Sequence, residues 1–323
     1  MQTRALLRIR YLAARAAGMA VLLVGVSVLL FAIMHAAPGG PEAMLVGETF
    51  DPAVAESLRR QYGLDDPVPV QYVRWAAGAL RGDFGRSFRD GQPVMLHIRE
   101  RLGPTLQLTA GGLLLAVLAA VPLGVAAAAR RGRATDHLAS AAMIIGVSFP
   151  SFWLGILLIL GFSSLLGWLP AAGIAPYGLE GDLLERVRYA VLPTVTLAVT
   201  QFAALARFTR SSMLDALGRD YVRTAEAKGA GRGAVLYRHA LRNGLIPVVT
   251  AVGLSLPALL GGAVLTETVF SWPGLGRLAV DAILERDYPV IMAIELIVAA
   301  AVVLANFLTD VVYTLVDPRI TLE

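Results

Sequence analysis

The chain contains no cysteine, which excludes a disulfide framework, thiolate nucleophiles, zinc–thiolate sites and lipoprotein anchoring through a cysteine. Lysine is almost as scarce: Lys228 is the only one in 323 residues. No GxxxxGK[ST] stretch exists, so the chain has no backbone cradle for nucleotide phosphates, and any energy from ATP must come through another polypeptide. Four histidines (His35, His97, His137 and His239) form no HxxxH or HExxH pair, and no metal site is expected. Without GxSxG or a paired nucleophile and base, a membrane-embedded hydrolase is set aside. Charge is sparse too. Only 16% of residues are charged and 56% are hydrophobic, against about 25% and about 45–50% in soluble domains. A mean hydropathy of +0.65 is more apolar side chain than one soluble core of this size can hide. Lipid is the natural sink.

A spanning helix needs about 20 mostly apolar residues. Six stretches qualify: 14–37, 105–129, 137–165, 190–207, 245–266 and 290–315. The fourth is interrupted by Thr194, Thr196, Thr200 and Gln201. Arg4, Arg8, Arg10 and Arg15 precede the apolar run 16–37, which exceeds a signal-peptide core of about 7–15 residues. It is read as an uncleaved first helix.

Basic residues set the orientation. With a cytoplasmic N-terminus, the inside segments hold 16 basic and 6 acidic residues, the outside ones 12 and 16. The short loop Arg130-Arg131-Gly132-Arg133 is the cleanest marker. The expected fold is therefore all-α and polytopic, with six transmembrane helices and both termini inside. The net charge of +4 reports this asymmetry, and no nucleic-acid partner is expected. Three regions follow: an N-terminal arm and first helix (1–37), an outer cap segment (38–100) and a five-helix core (101–323). The cap is too long for a plain connector and is expected to hold an amphipathic helix at 52–62. A solvated cap and a docking surface both fit its mixed charges.

The inside loop 207–244 needs its own structure. Asp220 is a good N-cap for a helix from Tyr221, and Gly229 a good stop for it. A second helical stretch is expected over 234–242, ending at Asn243-Gly244. Ala225, Ala227, Gly229 and Ala230 gather near the first helix's end. Small residues at an exposed tip let a partner backbone approach, and surrounding arginines favour an acidic partner rim. An ordinary positive-inside loop explains the same residues.

The segment Asp220-Tyr-Val-Arg-Thr-Ala-Glu-Ala-Lys-Gly229, followed by Arg238-His-Ala-Leu-Arg-Asn-Gly-Leu-Ile-Pro247, resembles the cytoplasmic loop of ABC importer permeases, and within them the dipeptide/oligopeptide/nickel family. The stretches 267–278 (ETVFSWPGLGRL), Arg286-Asp-Tyr-Pro289, Asp317-Pro-Arg-Ile320, Pro150-Ser-Phe-Trp-Leu-Gly155 and Gly167-Trp-Leu-Pro170 are similar to that family's signature, so the resemblance covers almost the whole chain. Aligned on Gly229, the superfamily's Glu-Ala-Ala falls on Arg223, Thr224 and Ala225, and its Leu-Pro on Leu241-Arg242; the missing Glu and Pro fit the peptide/nickel branch. The resemblance implies a type I ABC importer permease with a coupling helix formed by Arg223, Thr224, Ala225, Glu226, Ala227, Lys228, Gly229 and Ala230. It further implies a second homologous permease, two cytoplasmic ATPases that bind the ATP and magnesium, and an extracytoplasmic substrate-binding protein. This chain would be a multi-pass inner-membrane transport subunit, not an enzyme, with no cofactor of its own. A short peptide is the expected cargo; a nickel chelate, glutathione, peptide-like antibiotics and opines stay open.

Polar residues inside the spans carry two readings each. Ser148, Ser151, Thr194, Gln201 and Asn306 line a translocation path, or they hydrogen-bond within the bundle at around 0.6 kcal/mol per contact. Glu295, Asn306 and Asp310 share one helix face within roughly 60°. They form a proton relay, which would make the chain a proton-coupled secondary transporter, or a polar stripe whose ends reach interfacial water. Trp153, Trp168 and Trp272 fit interfacial belts at least as well as substrate contacts.

Overall fold

The computed structural model describes residues 2–36, 65–176, 178 and 182–316. Their elements are α1 (Gln2–Ala36), α2 (Val68–Ala79), α3 (Val94–Ala129), α4 (Ala134–Ser148) and α5 (Ser151–Leu158), which runs on as a π-helix over Ile159–Leu165. Then come α6 (Leu183–Leu217), α7 (Asp220–Ala227), one helical turn (Arg232–Ala234), a π-helical stretch (Val235–Ala240), α8 (Leu241–Val269), α9 (Leu275–Leu284) and α10 (Tyr288–Val316). Among the described residues the only β pairing is an isolated bridge between Arg86 and Pro93.

The expected spans are found as helices, several of them longer than expected. Among the described residues, Ala13–Ala36, Val94–Ala129, Leu183–Leu217 and Tyr288–Thr309 are each long and apolar enough to cross a membrane. Ala134–Gly146 and Ser151–Leu165 qualify together as a pair bent by 100°. The stretch 245–266 falls inside the 29 residues of α8. The expected single helix over 137–165 is thus corrected to a broken one. Proline disfavours the helical region for the residue before it, and Phe149, at φ −101° and ψ 131°, is extended. Pro193, by contrast, sits inside an unbroken α6. The expected helix at 52–62 lies outside the described residues.

The chain divides into two compact units. One runs to Gly103 and takes in Arg277–Leu304. In it α1 meets α2 through rings: Phe31 lies 5.5 Å from Tyr72, edge-on, and 5.9 Å from Trp75. Polar bonds add to this, with Ser27 Oγ 2.9 Å from the Tyr72 hydroxyl and the His35 ring 3.1 Å from Gln71 Oε1. The loop before α3 is held by Asp287, only 4% exposed, which accepts from the Ser87 hydroxyl and, at 3.1 Å, from the Phe88 N–H. Part of the expected outer segment 38–100 is therefore ordered helix, since α2 lies wholly within it and α3 begins there.

The second unit comprises Pro104–Gly276 and the chain from Ala305. Its centre is α6. Ala116, Ala120 and Ala127 of α3 and Ala139 and Met143 of α4 pack with Ala198, Leu205 and Ala206 of α6 in one buried cluster. So many small residues suit helices packing in lipid, where close van der Waals fit replaces the hydrophobic drive. Gly124 marks the tightest of these α3–α6 approaches, because a Cβ there would lie 2.6 Å from Thr209 Cβ and 2.8 Å from the Ala206 carbonyl oxygen.

Candidate functional site

The segment 207–244, expected on the inner side, is built outward from α6. That helix continues to Leu217, so the first third of the expected loop is helix. After Gly218 and Arg219 the chain enters α7. Arg219 is the N-cap, with no side-chain cap bond; Asp220, expected there, is the first helical residue instead. Its carboxylate lies 3.5 Å from the Arg223 guanidinium, favourable in a first turn through the helix dipole.

Helical spacing gives α7 two faces. Val222 and Ala225, three residues apart, are 2% and 8% exposed. Tyr221, Arg223, Thr224, Glu226 and Ala227 are exposed. The helix closes as a Schellman motif: the Gly229 N–H donates to the Glu226 carbonyl at 2.9 Å and the Ala230 N–H to that of Ala225 at 3.1 Å. That geometry needs a left-handed residue, and Gly229 has φ +84°, where glycine carries no Cβ penalty. Lys228 and Gly229 are exposed, while Ala230 is half-buried.

The inward face is firmly seated. Val222, Val235 and Ala240 join Met213 and Ala216 of α6 and Val125 and Ala128 of α3 in one cluster. Each fully buried valine contributes about 1.5–3 kcal/mol, so α7 sits on two long helices as a fixed knob. The second expected helix is corrected. Asn243-Gly244 does not end it, and the chain passes through the π-helical stretch directly into α8. Gly244 is there for close packing, as a Cβ would lie 2.7 Å from Met213 Sδ. Beside the knob, Tyr221, Arg238, His239, Arg242 and Asn243 line a polar groove.

Of the expected path residues, Ser148 and Gln201 line grooves on α6. Gln201, Ala204, Arg207, Phe208 and Ser211 form one with Ala251 and Ser255 of α8. Ser140, Met143, Ile144 and Ser148 of α4 form another with Ala203, Arg207 and Arg210. The Ser148 hydroxyl also donates to the Ile144 carbonyl at 2.8 Å. Thr194 instead faces α3, its Cγ2 being 3.4 Å from where a Gly111 Cβ would stand. Ser151 is half-buried at the start of α5, and Asn306 is exposed on α10. Glu295 is exposed on α10, and the Asp310 side chain lies outside the described residues.

Three features were not singled out from sequence. Arg207 lines both grooves. Asp136, 5% exposed, receives a two-pronged bond from Arg210, Nε to Oδ1 at 2.6 Å and Nη2 to Oδ2 at 2.9 Å, which ties α4 to α6. The third is Glu267 at the end of α8, fully buried and accepting from the Thr105 hydroxyl at 2.7 Å. Glu267 lies in a quoted motif, but nothing in its spacing announces that the carboxylate turns inward.

The family model described as "Binding-protein-dependent transport system inner membrane component" matches residues 120–322, and its N-terminal companion matches 8–109. The chain is 43% identical over 300 residues to the oligopeptide transport system permease protein AppB of Bacillus subtilis, covering 93% of this chain and 95% of that one. It is 40% identical over 316 residues to the dipeptide transport system permease protein DppB of Alkalihalophilus pseudofirmus, covering 92% and 95%. It is 42% identical over 312 residues to the glutathione transport system permease protein GsiC of Salmonella typhimurium, covering 97% and 99%. Among solved structures, an inward-facing MetNI methionine ABC transporter chain superposes with a TM-score of 0.58 at 19% identity, over 70% of this chain and 99% of that one. That likeness is one of fold.

Proposed function

Since the chain belongs to the family of binding-protein-dependent transport system inner membrane components, we propose that α7 and its Gly229 turn receive the stroke of partner ATPases. The chain is a membrane-embedded permease subunit of an ATP-driven importer, resident in the inner membrane. It is a transport component rather than an enzyme. Its cargo is a short peptide or a related small solute, as the names of its relatives suggest. A second homologous permease completes the pathway, two ATPases bind the ATP and magnesium, and an extracytoplasmic binding protein delivers the cargo. Six spans with both termini inside place α7 where cytoplasmic ATPases reach it.

The observation that carries this reading is a solvent-facing helix anchored by a buried inward face. Arg223, Thr224, Glu226, Ala227, Lys228 and Gly229 face out and form the docking surface. Ala225 and Ala230 belong to the seating beneath, their small size serving close packing rather than partner contact. A push on such a knob moves α3 and α6 instead of bending a loop. Ser148 and Gln201 line the path, with Thr194 further along α6, Ser151 at the start of α5 and Asn306 on α10.

The test is uptake by the complete complex in proteoliposomes. Peptide accumulation should require enclosed ATP and continue in the presence of a protonophore. Accumulation that ignores ATP and stops with the protonophore would overturn the proposal and restore the proton-coupled alternative built on Glu295 and Asp310.

A further inference from the structure

The charges on the inner half of α6 are unequal in their surroundings. Arg210 is held by Asp136 in two short bonds, and that carboxylate also accepts from the Gly132 N–H at 3.0 Å. Arg207, one turn earlier, is exposed. Among the described residues no carboxylate lies within ion-pair distance of it. It lies where the expected fourth span, 190–207, meets the inside loop, and a long basic side chain at a span's end usually reaches the interface. An arginine that only marked the cytoplasmic edge would turn to the headgroups. Arg207 instead lines both grooves beside α6, with Gln201, Ser211 and Ser255 on one side and Ser140 and Ser148 on the other. Among the described residues, every charged side chain lining these grooves is an arginine, and the Arg210 charge is already answered.

We propose that Arg207 is a specificity-determining residue of the pathway, receiving the carboxylate of a passing solute between serine hydroxyls and the Gln201 amide. A guanidinium presents a planar fork that matches a carboxylate in two parallel bonds. The groove with Ser255, of about 410 Å³, falls within the usual range for small-molecule sites, about 300–1,000 Å³. The surrounding hydroxyls and amide hold peptide groups weakly, as a path that must also release its cargo requires. The inference rests on the reading of this chain as a permease for peptides or similar solutes, and it makes the free carboxylate the recognised feature.

The chain's lack of cysteine gives a direct test. Ser211→Cys, one turn from Arg207, places a single thiol in the groove; Ser255→Cys serves if the first variant fails to assemble. In the complete complex in nanodiscs, this thiol is reacted with an anionic (2-sulfonatoethyl) or a cationic (2-trimethylammonioethyl) methanethiosulfonate. Labelling is read as a mass shift of this chain alone. With Arg207 in place the anionic reagent should be favoured. Arg207→Gln should lower the anion-to-cation rate ratio about five-fold, the scale of one nearby charge in a partly solvated site, and Arg207→Lys should preserve it. Tri-alanine at millimolar concentration should slow labelling, and tri-alanine amide should slow it much less.

An unchanged ratio in Arg207→Gln would overturn the proposal. Equal protection by acid and amide, or protection by neither, would overturn carboxylate recognition. If the parent complex shows no ATP-driven uptake of any peptide, the reading of its cargo fails instead, while the reagent ratio still reports whether Arg207 sets the field in the groove.

Discussion

Glutamate in place of Gly229 is expected to leave an assembled complex that binds ATP but loses ten-fold or more of its substrate-stimulated hydrolysis. Two effects combine. Gly229 has φ +84°, and any side chain held there costs about 1–3 kcal/mol. A Cβ at this position would meet nothing within 4 Å in this chain, so the added carboxylate stands in the space proposed for a partner. It also opposes the attraction between the arginines around the knob and an acidic partner rim. Gly229→Ala separates the two effects, because it brings most of the backbone strain and none of the charge. It should keep most of the stimulated turnover. If the glutamate variant hydrolyses ATP as the parent does, α7 is not the coupling element.

The second large effect concerns Glu267→Ala, which is expected to destabilise the subunit by about 3 kcal/mol, within the range for removing one partner of a buried polar network. The carboxylate is wholly buried. It accepts from the Thr105 hydroxyl, and that oxygen accepts in turn from the Leu275 N–H at 2.7 Å. Trp272, also fully buried, donates from its indole nitrogen to the Pro104 carbonyl at 3.0 Å. The turn from α8 into α9 is thus folded around an acid and sewn to the start of the apolar part of α3. Gly274 lies against the carboxylate so closely that a Cβ would overlap Oε1. Alanine at 267 leaves a cavity and a hydroxyl without its acceptor. Thermal unfolding of the detergent-solubilised complex should show a clear fall in melting temperature, with Glu267→Gln in between. A melting temperature equal to the parent's would show that the turn is held by its backbone and Trp272 alone.

Much of this molecule was legible in its residues because lipid imposes a strong rule. Long apolar runs mark helices, and all six of the apolar stretches lie in helical structure, the third with a break before Pro150. The stop at Gly229 was readable for a local reason: only glycine fits that backbone conformation at low cost. The failures have physical causes as well. Asn243-Gly244 has the composition of a helix end, yet tertiary packing against Met213 and Ala216 uses the glycine inside a continuing helix. Pro150 and Pro193 look alike in sequence, but only the first breaks its helix, with Phe149 extended before it. The inward turn of Ala225 follows from its three-residue spacing to Val222, which composition alone conceals. Arg207 and Glu267 gain their meaning from groups distant in sequence, and no single stretch records those neighbours.

The central claim is that the exposed face of α7 lies in the cytoplasm and is covered by an ATPase. A single cysteine at Glu226, in a chain that has no other, measures both parts with a membrane-impermeant maleimide. The thiol should react in inside-out vesicles stripped of ATPase, become shielded when the ATPase is added back, and stay silent in intact spheroplasts. Labelling from the outer side, or equal labelling with and without the ATPase, would contradict the account.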